Sequence, residues 1–266
     1  MRLPPDYHIH TELCRHATGR PADYAKCAFE VGLTVIGFAE HAPMPTDDFD
    51  NWHMRTDQLE QYIELVRKAQ IDFPNLTIRL GLEMDYLPGI EDWLRELAAR
   101  HRWDYLVGSV HYVSGSWAID DPKQIQLWQK HDLFEVWGEY FDRLTRAAQT
   151  GLFDIIGHAD LPKKFGFRPA RDCTGLYDRF VRAAKKHNCA IEINTAGLRK
   201  DCRELYPGDQ LLKLACNAEV PIVFGSDAHA PDEVAFEFGT AVRAAQQAGY
   251  THYCTFELRR CRLDAL

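Results

Sequence analysis

Two stretches of the chain set metal-binding side chains two residues apart: His8-Ile9-His10 near its start and Asp227-Ala228-His229 near its end. In an extended strand successive side chains point to opposite faces, so such pairs share a face and can reach one ion. Imidazole and carboxylate donors without a thiolate suit zinc, iron or manganese, and the spacing does not choose among them. An H-x-H pair alone is a weak signal, and the rest of the chain strengthens it. His16, Glu40-His41, Glu83, His111, His158 and Glu192 also stand where short apolar runs give out. Of twelve histidines, seven (His8, His10, His16, His41, His111, His158 and His229) fall at or just past such ends, while His53, His101, His131, His187 and His252 do not. Imidazoles packed together without a cation would find few acceptors for their ring protons, so the pattern predicts a metal site. Cys14, between His10 and His16, is expected to be a packed thiol.

The elements that must position these residues alternate along the chain. Short β-branched or apolar runs occupy 7–9, 34–39, 76–82, 105–110, 153–156, 190–193 and 220–224, and most fit buried parallel strands. Helical spacing lies between them, as in Tyr24, Cys27, Ala28 and Val31 before Gly32, or Leu59, Tyr62, Ile63, Val66 and Ala69. Further helices are expected after Ile90, Leu133, Gly175, Gly208 and Pro231. An open doubly wound sheet would bring only two or three strand ends to one crevice. A closed barrel brings every strand's C-terminal end to one rim. Each of the seven runs ends in a metal-capable residue, so the pattern predicts an α/β fold with a seven-stranded parallel barrel. The long segment 114–130 is expected to lie over the site as a lid, and 251–258 to add an edge strand.

Composition narrows the function classes. At 266 residues, 46% hydrophobic and without a linker or repeat, the sequence predicts one domain over 1–266. No apolar run approaches the roughly 20 residues of a membrane span. The N-terminus passes straight into polar sequence, which predicts a cytoplasmic protein with no leader. A net charge of −8 argues against a nucleic-acid surface, which relies on excess Lys and Arg. The eight cysteines include no C-x-x-C pair, and reduced thiols are expected.

Six phrases carry a resemblance: Asp6-Tyr7-His8-Ile9-His10-Thr11 with Cys14-x-His16, Phe38-Ala39-Glu40-His41, Gly81-Leu82-Glu83-Met84-Asp85-Tyr86, Gly108-Ser109-Val110-His111-Tyr112, Gly157-His158-Ala159-Asp160 and Gly225-Ser226-Asp227-Ala228-His229. Over its whole length the chain resembles the PHP superfamily, the polymerase and histidinol phosphatase family. Cys14-Arg15-His16-Ala17 and the run from Glu192 through Asn194 and Arg199 to Lys200 are most similar to its stand-alone histidinol-phosphate phosphatases.

The resemblance implies a distorted (β/α)7 TIM-like barrel holding three divalent metal ions. His8, His10, Glu83 and Asp227 would hold the first, Glu83 as a bridge with His111 and His158 the second, and His16, His41 and His229 the third. It implies hydrolysis of L-histidinol phosphate to L-histidinol and phosphate in histidine biosynthesis, with a small phosphorylated substrate and neither nucleic acid nor membrane as partner. Phosphate monoesters are among the slowest substrates to hydrolyse uncatalysed, which calls for clustered cations that acidify water to a pKa of about 7. Glu83 and Asp227 are the expected catalytic carboxylates, Asp227 orienting the attacking water. Arg199, in the loop after the sixth strand, and Lys163 and Lys164, after the fifth, are the expected phosphate-binding cations, with Arg15, Arg20 and Arg55 weaker candidates. Trp52, His53, Tyr86, Trp117 and Phe165 could wall a pocket for the rest of the substrate. Alternative expectations are a PHP phosphoesterase acting on a nucleotide or sugar phosphate, and a non-catalytic metal-bound scaffold.

Overall fold

The structure is a computed structural model that describes residues 3–266. The expectation of a leaderless N-terminus falls on Met1 and Arg2, outside the described residues. In chain order the elements are β1 (Asp6–Ile9), α1 (Pro21–Glu30), β2 (Val35–Phe38), α2 (Leu59–Asp72), β3 (Thr77–Asp85), α3 (Glu91–Arg100), β4 (Tyr105–Ser109) and the short strands β5 (Tyr112–Val113) and β6 (Trp117–Ala118). There follow α4 (Leu133–Gln149), β7 (Ile155–Ile156), α5 (Thr174–Lys186), β8 (Ala190–Asn194), α6 (Asp209–Asn217), β9 (Ile222–Gly225), α7 (Phe238–Ala248), β10 (His252–Glu257) and β11 (Arg260–Ala265).

Seven of these strands form one parallel sheet in the order β1-β2-β3-β4-β7-β8-β9. Its edges meet through a parallel bridge between Ile9 and Ala228, where the His10 N–H donates to the Ala228 carbonyl at 3.0 Å and the Ala228 N–H to the His8 carbonyl at 3.2 Å. The barrel therefore closes at the C-terminal ends of its strands, between the two pairs of metal-capable residues. The strands are buried on both faces because helices cover the outside and side chains fill the inside. Tyr7, Tyr105, Val107, Ile155 and Val223 belong to the cluster that fills the barrel, and the Tyr105 hydroxyl donates to the carbonyls of Tyr7 and Phe38. Gly37 and Gly81 make room for that ring, since a Cβ at either would collide with it.

Two expectations about the outer elements change. The predicted edge strand exists as β10, but it pairs with β11 in an antiparallel hairpin and not with the barrel sheet. Left-handed Leu258 and Arg259 turn the chain back, so β10's free edge is met by the chain's own end. The hairpin seats beneath the barrel: Phe256 N–H donates to the Tyr7 hydroxyl, Leu258 N–H to Asp104, and Arg259 pairs with Asp154. Asp104 and Asp154 precede β4 and β7, so this is the end opposite the metal-capable rim. Cys254 and Cys261 form a disulfide across the hairpin, which corrects the expectation of reduced thiols for this pair; the other six cysteines are free. The long segment after β4 is built as the β5–β6 hairpin followed by a 3-10 helix over Pro122–Lys130, anchored by buried Trp128. No described helix is long and apolar enough to cross a membrane.

Candidate metal centre

Barrel strands deliver the donors to one rim. His8 lies in β1, and His10 follows it directly. Glu83 was expected just beyond its strand but lies inside β3, which a parallel bridge from His41 and pairing of Asp85 with Ser109 of β4 keep extended. Glu192 lies inside β8, within the run 190–193 read as a strand from the sequence. His158 and Asp227 both have positive φ, 22° and 53°, a region that non-glycine residues occupy at a cost and chiefly where surrounding contacts enforce it. For His158 the enforcing contact is its N–H, which donates to Glu192 Oε2 at 2.8 Å.

Donor atoms gather into groups whose members all lie within 4.8 Å of one another: His8, His10 and Asp227; Glu83, His111 and His158; His10, His41 and His229; and Cys14, His16 and His229. The third expected set, His16, His41 and His229, is divided between the last two groups, with ring centroids 4.6 to 6.0 Å apart. Cys14 is buried and its thiol donates to the Thr11 carbonyl at 3.2 Å, as a packed thiol would.

The unpaired atoms test whether cations fit. His8 Nε2, His10 Nε2, His41 Nδ1 and Glu83 Oε2 are buried without a hydrogen bond. His41 Nδ1 and Glu83 Oε2 stand 2.8 Å apart and still make none. Buried polar atoms are rarely left unsatisfied, and lone pairs converging on one point are what cation ligands present. Charge is compressed in the same way. Burial opposes a charged Glu83, yet His8, His41 and His158 around it hold its carboxyl well below the usual range. Burial pushes His41 down to about 3 against the pull of Glu83, with His10 adding to the depression. The donor set fits divalent metals.

A further layer of carboxylates fixes the imidazoles. Glu192 Oε1 lies 2.7 Å from His8 Nδ1, Glu40 Oε1 3.2 Å from His10 Nδ1, and Asp85 Oδ1 3.0 Å from His111 Nδ1. Backbone carbonyls serve the same purpose for His16 and His229. Engaging Nδ1 leaves Nε2 as the donor to a metal and sets the ring's orientation. Glu40 was grouped with His41 as metal-capable in the sequence but assigned to no ion, and Asp85 had no assigned role; its signal was adjacency, two residues after Glu83.

The rim opens into a cavity of about 480 Å³ whose lining includes His16, His41, Glu83, His111, His158, Asp227 and His229. Arg199 and Lys164 also line it. Arg199 Nη2 donates to the carbonyls of Ser226 and Asp227 while Nη1 is buried without a partner. Lys164 donates to Asp120 Oδ2 at 3.1 Å. Lys163 does not line the cavity: it is fully buried and donates to Asp160 Oδ2 and the Leu205 carbonyl, because the 3-10 turn after His158 sends adjacent side chains in different directions. Lys200, which the sequence reading passed over beside Arg199, lines the cavity, and burial with Lys164 nearby lowers its pKa.

Of the aromatic candidates only Trp52 lines the cavity; His53, Tyr86 and Trp117 are buried away from it and Phe165 packs on the core. Arg15 reaches the lining, whereas Arg20 and Arg55 are exposed elsewhere. Asp120 to Lys123 line the mouth, so the segment after β6 does form one wall.

Comparison with known proteins follows the same lines. Residues 6–196 match the PHP domain. A probable histidinol-phosphatase of Deinococcus radiodurans is 41% identical over 245 residues, 92% of this chain and 93% of that protein. The histidinol-phosphatase of Bacillus subtilis is 28% identical, over 88% of this chain and 96% of its own. The crystal structure of a Lactococcus lactis histidinol phosphate phosphatase, complexed with zinc, L-histidinol and phosphate, superposes with a TM-score of 0.85 at 20% identity, covering 98% of this chain and all of that one.

Proposed function

This chain belongs to the PHP family, and from that premise we propose that it is a metal-dependent phosphatase that hydrolyses L-histidinol phosphate to L-histidinol and phosphate. The observation that carries the reading is the set of buried, hydrogen-bond-free donor atoms around Glu83, backed by carboxylates and opening into a cation-lined cavity. The substrate rests on the extent of likeness to the Deinococcus radiodurans relative.

His8, His10, Glu83 and Asp227 would hold one divalent ion, Glu83, His111 and His158 a second, and His16, His41 and His229 a third, as zinc, iron or manganese. When bound, such ions polarise phosphoryl oxygens and make water acidic enough to serve as a nucleophile near neutral pH. The protein's own groups do the positioning. Asp227, whose Oδ2 accepts from Asn194 Nδ2 at 3.3 Å, orients the attacking water. Arg199, Lys164 and Lys200 receive the phosphate oxygens as the P–O ester bond breaks. Glu192, Glu40 and Asp85 keep three imidazoles in register. We place the protein in the cytoplasm, with a small phosphate monoester as its partner.

Removal and return of metal tests this reading. Dialysis against a strong chelator should abolish phosphate release from L-histidinol phosphate, and zinc, manganese or ferrous iron should restore it. Full turnover by the metal-free protein would refute it.

A further inference from the structure

We propose that His53 is a positioning residue that fixes the Asp85 carboxylate and, through it, the ring of His111. Both His53 nitrogens face carboxylates: Nδ1 lies 2.6 Å from Asp50 Oδ2 and Nε2 lies 2.9 Å from Asp85 Oδ2. Carboxylates only accept, so the ring donates from both sides. His111 sits astride the same carboxylate: its backbone N–H donates to Asp85 Oδ1 at 3.0 Å and its Nδ1 lies 3.0 Å from both Asp85 oxygens, so Oδ2 is shared between His53 and His111. With Nδ1 engaged by Asp85, Nε2 is the His111 nitrogen left for the group it forms with Glu83 and His158.

The outer end of this chain is tied down more firmly than packing alone requires. Asp50 Oδ1 accepts the N–H groups of Trp52 and His53, and its Oδ2 also accepts the Tyr112 hydroxyl at 2.5 Å. Trp52 lies between His53 and Tyr112, its ring 4.0 Å from the first at 26° and 5.7 Å from the second at 11°. Trp52 also meets His41 and His111 edge to face. Trp52 is therefore a wall of the cavity held by four ring contacts. Arg15, which lines the cavity, donates to the His53 carbonyl. The loop carrying Asp50 and His53 is thus joined to a candidate metal ligand through one imidazole that sequence position alone had set apart from the rim. Groups that touch a metal's ligands, as Asp85 does here, cost about 10- to 100-fold in metal affinity or activity when lost, and His53, one step further out, acts by holding that carboxylate.

This inference rests on His111 being a metal ligand, so the test carries a control for that. Metal-stripped wild type, His53→Gln and His111→Ala are titrated with Zn²⁺ against a chromophoric chelator, and the melting temperature of each metal-free protein is recorded. Glutamine's two N–H groups share one nitrogen and cannot reproduce donors on opposite edges of the imidazole. For His53→Gln one zinc equivalent should weaken by about 10-fold, the lower end of the range for groups that support a ligand, with kcat falling and KM for p-nitrophenyl phosphate within twofold. If every zinc equivalent in a folded His53→Gln stays within twofold of wild type and only the melting temperature drops, His53 is a packing residue and the proposal fails. If His53→Gln does not fold, Asp50→Asn, at the outer end of the chain, carries the same expectation and the same refutation. His111→Ala should lose one zinc outright; retention of full stoichiometry there would overturn the metal-site reading itself, separately from the role of His53.

Discussion

Glu192 and His8 meet inside the barrel with Oε1 2.7 Å from Nδ1, while the other oxygen of the same carboxylate takes the backbone N–H of His158 at 2.8 Å. One side chain thus orients two candidate ligands on different strands. Gly225 is glycine at this contact because a Cβ there would collide with Glu192 Oε1. Glu192→Gln should lower metal affinity or kcat by about 10- to 100-fold with little change in KM, measured by steady-state kinetics at saturating metal. Gly225→Ala, which displaces the carboxylate without removing it, should reproduce the loss in a folded protein; wild-type kinetics in both would show that the contact is incidental.

Glu83 touches more of the site than any other carboxylate in it, with His8, His41 and His158 all within 3.4 Å of its oxygens. Shared between two ions, it should cost both when neutralised. Glu83→Gln is expected to reduce activity at least about 100-fold and to lower bound metal by more than one ion per chain, counted by plasma mass spectrometry. Loss of a single ion would make Glu83 a terminal ligand and not a bridge.

Much of this was legible in the sequence because period and position coincide: a strand's end is marked where its apolar run meets a polar donor, and seven such meetings imply a closed barrel. The strand ends before His10, His41, His111 and His158 follow that logic. Glu83 escaped it because a polar residue facing a buried metal site does not terminate a strand. Lys163 and Lys164 show the resolution limit differently: both follow His158 in a short loop, yet one is buried against Asp160 and the other lines the cavity. The Cys254–Cys261 pair was invisible because a seven-residue spacing signals nothing until the hairpin register brings the two strands together.

The cations along the rim should separate kinetically. Arg199 holds the backbone of Ser226 and Asp227 as well as facing the cavity, so Arg199→Ala should lower kcat and raise KM together. Lys200 has no such backbone duty, and Lys200→Ala should raise KM about tenfold, equivalent to roughly 1.4 kcal/mol. Burial lowers the Lys200 pKa from that of an ordinary lysine. It is charged below that lowered value, so its pull on phosphate fades as pH rises through a point below that of an ordinary lysine. KM should climb on the alkaline side in wild type and less steeply in Lys200→Arg; identical alkaline profiles would remove Lys200 from phosphate binding.

The hairpin disulfide lies at the barrel end away from the metal-capable rim. Thiol titration of the denatured, unreduced protein should therefore find six free thiols of eight. Replacing Cys254 and Cys261 by serine should cost about 2 to 3 kcal/mol of stability by chain-entropy reasoning and leave kcat unchanged at 25 °C. Eight titratable thiols would restore the reduced state expected from the sequence and from a cytoplasmic location.

The most direct test of the central claim is kcat/KM of the metal-loaded protein for L-histidinol phosphate beside p-nitrophenyl phosphate, nucleotides and sugar phosphates. The account predicts a preference of several orders of magnitude for L-histidinol phosphate. Uniformly low rates across the panel would contradict the assigned substrate while leaving a phosphatase, and absence of turnover on every ester would contradict the enzyme itself.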